Sequence, residues 1–210
     1  MELARDWTDL VGGVLVAGFV VFLVGASGWR LGYQRPPQES LPLIHGERRR
    51  WTWIHVWMLP AMLLTTAGLV GFSFLPGNAD GTIVAVMATL IYTLGAVGMI
   101  VMLAFRLTVV RWAAERTVAV GSPPDGYVPL ADWAGLLYVV HMLASYAAFA
   151  VLGAAVLASD AMPHWAGWVG IGLGTGCLAG FVATRFAGPF NPPFLAHTYT
   201  ALLGVVLLVT

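Results

Sequence analysis

The chain has 210 residues, 59% hydrophobic and 10% charged; all ten basic side chains are arginine, and the formal net charge is zero. Soluble domains carry about a quarter charged residues, so this composition excludes an ordinary soluble enzyme or a nucleic-acid-binding module and points to a membrane protein. The absence of lysine excludes a Schiff-base cofactor such as retinal, and the single cysteine, Cys177, excludes a disulfide, a CxxC pair and an iron–sulfur cluster.

The first residues, MELARDWTDL, carry Glu2 and Asp6 beside Arg5. A secretory signal has a net positive start, so the apolar run that follows is expected to stay as a span. Six spans of about 20 apolar residues are expected at roughly 8–29, 52–75, 82–105, 132–158, 164–184 and 191–209. All must be helical, because lipid offers no partner for an open backbone N–H or C=O. The expected fold is an all-α membrane protein: one polytopic domain over residues 1–210, a six-transmembrane-helix bundle of three antiparallel hairpins.

Trp7 and Trp29 bracket the first span as interfacial anchors. PGNADG at 76–81 reads as a tight turn between the second and third. Beyond the third, RLTVVRWAAER reads as a helix overrun with an Arg111–Glu115 pair at i,i+4, broken by GSPPDG. SDAMPHW opens the fifth span, and Asn191 is the expected N-cap of the sixth, with Pro192 and Pro193 in its first turn.

The arginines set the expected direction. The loops 30–50 (Arg30, Arg35, Arg48, Arg49, Arg50), 106–131 (Arg106, Arg111, Arg116) and 185–190 (Arg185) hold nine of the ten, and the opposite loops hold Asp80 and Asp160. By the positive-inside rule those three loops are cytoplasmic and both termini face out. The expected location is a prokaryotic inner membrane.

Ionisable groups inside spans are rare and functional by default. Here they are His55, His141 and His197, each about 6–12 Å in from the arginine-rich interface, on helices running the same way. His45 is expected in a cytoplasmic loop and His164 at the outer surface. At i+3, i+4 and i+7 from His141 stand Ala144, Ser145 and Ala148, and from His197 Thr200, Ala201 and Gly204. Such small faces admit a helix or a flat ring. Around His55 the positions are Met58, Leu59 and Met62, with Pro60 between.

Two equal-depth imidazoles on facing helices suit a b-type haem. The expected axial pair is His141 and His197, with His55 as substitute and Arg106, Arg111 and Arg185 meeting the propionates. A copper or zinc site built from His55, His141 and His197 is the alternative metal reading. The third reading has no cofactor, each histidine hydrogen-bonding across a helix interface.

The count is similar to that of one-haem anchor bundles attached to dehydrogenases or hydrogenases, a likeness of architecture without a shared motif. The expected role is therefore an electron-transfer or anchor subunit; the alternatives are a cofactor-free accessory subunit and a small neutral-solute permease. Ser145 lies one turn from His141, but no GxSxG context supports a hydrolase. Besides the lipid bilayer, a protein partner or second copy is expected on Gly172, Gly176 and Gly180, a small-xxx-small repeat that otherwise serves packing inside the bundle.

Overall fold

A computed structural model describes residues 2–159 and 162–210, with side chains from Asp6 onward. Asp160 lies outside the described residues, as do the side chains of Glu2 and Arg5. The described residues form seven α-helices and no strand: α1 (Glu2–Ala26), α2 (Pro37–Gly46), α3 (Arg48–Phe72), α4 (Ala79–Val120), α5 (Tyr127–Leu157), α6 (His164–Ala183) and α7 (Leu195–Val209). Short 3₁₀ turns at Leu31–Gln34 and Gly188–Phe190 lie in the linkers.

α1, α3, α4, α5 and α6 are long and apolar enough to cross a membrane. Large apolar side chains such as Leu63, Leu90, Leu94 and Trp168 stand on the outer surface, an arrangement lipid tolerates and water does not. α7 has 15 residues, about 22 Å of helix, which is shorter than the ~30 Å hydrocarbon core. The all-helical, multi-pass build is therefore present, and five helices have spanning length.

α1 packs on α3 and α7, α4 on α3 and α5, and α5 on α6. The first two expected hairpins are packed pairs. The third is not: α6 lies along α5 and α7 along α1, with little contact between them. Tyrosines explain how the α6–α7 linker is held apart from its own hairpin. The Tyr138 hydroxyl donates to the Asn191 carbonyl, and that of Tyr146 to the Phe190 carbonyl at 2.6 Å.

Other differences from the expected ends have local causes. α3 begins at Arg48, and α2 adds a helix inside the 30–50 loop, started by Pro36 and Pro37. α4 runs unbroken for 42 residues, so the overrun is about 21 Å of helix beyond Arg106. Glu115 pairs with Arg48 across the α3–α4 contact at 3.2 Å, in place of Arg111. Asn191 does not cap α7, which starts at Leu195 after both prolines.

The α4 start is capped as its sequence suggests. Asn78 Oδ1 accepts from Gly81 N–H at 2.7 Å, and Asn78 Nδ2 donates to the Ala158 carbonyl at 2.8 Å, tying two loops together. α6 ends in a Schellman turn: Phe186 N–H donates to the Phe181 carbonyl at 2.8 Å, and the two rings meet at 5.3 Å. Arg185 occupies the left-handed position there, at φ 53°, where glycine is usual.

Candidate binding cavity and the buried histidines

The arginine-rich end of the bundle holds a half-open cavity of about 880 Å³, within the 300–1,000 Å³ range of small-molecule sites. Its inner wall is apolar: Phe22 from α1, Met58 from α3, Met99, Met102 and Phe105 from α4, and Ala134 from α5. Its mouth is framed by the linkers, through Leu31, Tyr33 and Asn191–Phe194, and by Ser40 and Ile44 of α2. Small residues keep the α5 wall back. A Cβ on Gly135 would meet nothing within 4 Å.

One guanidinium stands in this wall. Arg106 lines the cavity and is boxed by aromatic rings, its Cζ 5.5 Å from the Trp29 ring centroid and 5.9 Å from that of Trp51. The box assembles itself by short spacings. Trp51 and His55 are one helical turn apart, with ring centroids 4.1 Å apart, and Trp51 Nε1–H donates to the Arg106 carbonyl at 2.9 Å. His55 Nδ1 sits 2.7 Å from the Trp51 carbonyl, so it carries the proton and leaves Nε2 as an acceptor. Arg106 Nη1 faces that Nε2 at 3.4 Å.

No carboxylate joins this box. Among the described residues the ion pairs are Arg30–Glu47, Arg35–Glu39 and Arg48–Glu115. Glu47 accepts from both Arg30 and the Tyr33 hydroxyl. Burial, reinforced by the hydrogen bond and negative charge of Glu47, pushes the Tyr33 phenol from 10.0 up to about 12. Asn191 presents a buried Oδ1 with no hydrogen bond among the described residues.

The three membrane histidines are all buried, but they do not act alike. His55 belongs to the Arg106 box. His197 packs on Phe22 at 4.5 Å and meets Thr65 Oγ1 through Nδ1 at 3.3 Å. His141 lies beside Tyr92, with ring centroids 6.2 Å apart, and neither of its nitrogens has a hydrogen bond. The Gly95 carbonyl is near its ring but outside hydrogen-bonding geometry. The hydroxyls of Tyr92 and Ser145 are buried and unpartnered as well.

Among the described residues no three His, Cys, Asp or Glu side chains converge as a metal site, so the His55, His141, His197 copper or zinc set is not assembled. The small faces beside His141 and His197 are taken by helices. A Cβ on Gly95 of α4 would stand 2.7 Å from Ala144 Cβ and 3.3 Å from His141 Cα. A Cβ on Gly204 would stand 2.8 Å from the Gly12 carbonyl oxygen of α1. Neither His141 nor His197 lines the cavity.

The expected propionate partners also separate. Arg106 lines the cavity. Arg111 lies outside it, in a shallow hollow with Ile44, His45, Arg48 and Glu115, and Arg185 sits in the α6 end turn. On α6, Gly172 and Gly176 face open space, whereas Gly180 meets the Phe190 ring. The close α5–α6 contact uses Gly153, Gly167 and Gly174 instead, where an added Cβ would come within 2.4–2.8 Å of the facing backbone.

Trp29, expected as an interfacial anchor, instead forms with Trp51 a box around Arg106. The W-x-x-x-H spacing at 51–55 was the available signal, since i,i+4 residues stack on a helix. Tyr92 and Asn191 gave no comparable signal. No protein-family model, curated protein or solved structure matches the chain.

Proposed function

We propose that this chain is a multi-pass protein of a prokaryotic cell membrane that binds one lipid-like small molecule in the cavity at its arginine-rich end. The arginine distribution supports a cytoplasmic position for that end and outward-facing termini. The observation that carries the proposal is the half-open 880 Å³ cavity with an apolar inner wall and a few polar groups beside it. Its depth supports an amphiphile. Arg106 lies 27 residues beyond Ala79 on a continuous helix, about 40 Å along the axis. With a ~30 Å hydrocarbon core, that distance supports a headgroup-level position for Arg106, with the methionine wall among the acyl chains.

Native mass spectrometry of the protein released from nanodiscs tests this. The expected result is one retained lipid-like adduct, lost on Ala134→Trp, which adds bulk at a buried position of the α5 wall. Adduct-free wild-type protein, or the same adduct in both proteins, overturns the proposal.

One observation favours a second reading. The imidazole of His141 is buried with no hydrogen bond among the described residues, which suits an axial ligand of a b-type haem, with His197 as the second, in an electron-transfer or anchor subunit. Such a haem requires α4 and α1 to draw back from the two small faces. A Soret band that shifts on dithionite and is lost on His141→Ala supports this reading. A colourless protein free of iron, copper and zinc overturns it.

A further inference from the structure

We infer that the molecule held in the cavity has a single anionic head, a carboxylate or phosphate on a long apolar chain, and that Arg106 is its receptor. The inference rests on the proposed cavity function and adds the ligand's charge. It follows from what surrounds the guanidinium. Arg106 is walled in by Trp29, Trp51 and His55, and no carboxylate in the described chain pairs with it.

The neighbours leave the charge uncompensated. The ring faces attract a cation, but such contacts are weak beside the several kcal/mol that desolvating an ion costs. His55 supplies only a lone pair. Its Nδ1–H is committed to the Trp51 carbonyl, so the ring is neutral and accepts from Nη1 at 3.4 Å. A guanidinium has five N–H donors in a planar fork, and one facing Nε2 leaves most of them for an oxyanion in the cavity. Bidentate pairing of that fork with a carboxylate or phosphate is its strongest hydrogen-bonding mode.

The rest of the cavity restricts the ligand further. Past Arg106 the wall is Phe22, Met58, Met99 and Met102, soft side chains that accommodate a flexible chain. Among the described residues no second cation lies on the wall: its polar side chains besides Arg106 are those of Gln34, Ser40, Asn191 and the tyrosine and tryptophan rings. One positive charge fits one negative charge, so a head carrying several charges is disfavoured.

The test uses the delipidated full chain in a neutral detergent. Native mass spectrometry measures binding of hexadecanoate, of hexadecanol as the uncharged isostere, and of phosphatidylglycerol. The expected result is that hexadecanoate or phosphatidylglycerol binds at least tenfold more tightly than hexadecanol. The preferred anion identifies the source as a free fatty acid or a bilayer lipid. Arg106→Gln abolishes the preference and Arg106→Lys restores most of it, which separates a charge effect from a folding defect. Equal binding of hexadecanol and both anions by the wild type, or a preference that survives Arg106→Gln, overturns the anionic head and leaves the cavity proposal standing. Failure of all three probes to bind overturns both.

Discussion

Gly174 and Gly172 are two residues apart on α6, and the structure gives them opposite fates. A Cβ on Gly174 would stand 2.4 Å from the Ala150 backbone nitrogen and 2.6 Å from the Tyr146 carbonyl oxygen. Those atoms belong to the α5 backbone and cannot rotate away, so the two helices must separate. Overpacking of this kind costs about 1–3 kcal/mol, offset by up to ~1 kcal/mol of helix propensity gained in Gly→Ala. Taking about 1 kcal/mol net, Gly174→Ala lowers the melting temperature by roughly 2–4 °C for a chain this size. At Gly172 a Cβ meets nothing within 4 Å, so only the propensity gain operates and Gly172→Ala leaves the melting temperature unchanged or slightly raised. Thermal unfolding in a single detergent, followed by circular dichroism, measures both. Equal destabilisation by the two variants refutes the assignment of α6 faces and shows that Gly172 is covered, as a subunit interface would cover it.

Three further outcomes follow from named contacts. Asn78→Ala removes the α4 cap and the bond to the Ala158 carbonyl, costing about 1–2 kcal/mol of unfolding free energy by denaturant titration. Ultraviolet titration finds the Tyr33 phenol ionising near 12 in the wild type and lower in Glu47→Gln, without a full return to 10.0 because burial is the larger cause. Since the folded value is the higher one, the stabilisation linked to the protonated Tyr33 is complete below pH 10 and is lost as pH rises through about 12. Replacing His141 by leucine removes two buried unpartnered nitrogens. With no ligand on that ring the melting temperature holds or rises, whereas a fall together with loss of colour supports the haem reading.

The helical class was legible because lipid forbids other backbones, and the ends near Asn78 and GSPPDG were legible because caps and breakers act locally. The pairing of α7 with α1 was not, since it depends on Tyr138 and Tyr146 holding a linker more than forty residues away and on Gly12 meeting Gly204. Depth along a helix is readable from residue counts, so the place of the three histidines within apolar helices was legible; their burial in the bundle is a finding of the structure. Direction around the helix is set by neighbours, and it sends His55 to Arg106, His197 to Thr65 and His141 to neither. The small residues beside His141 and His197 showed that something approaches closely. They did not distinguish a ring from α4 and α1. The cavity draws its wall from helices and linkers across the whole chain, and no local pattern encodes it. Arg106 is expected beside Arg111 and Arg185 as a propionate partner; that it alone of the three lines the cavity, with no carboxylate paired to it, is a fact of three dimensions.

The most direct test is an electron cryomicroscopy map of the chain in lipid nanodiscs. The account predicts elongated density inside the cavity, running between Met58 and Met99 and ending within hydrogen-bonding distance of the Arg106 guanidinium. A cavity holding only water, or closed with Arg106 paired to a carboxylate of its own chain, contradicts it.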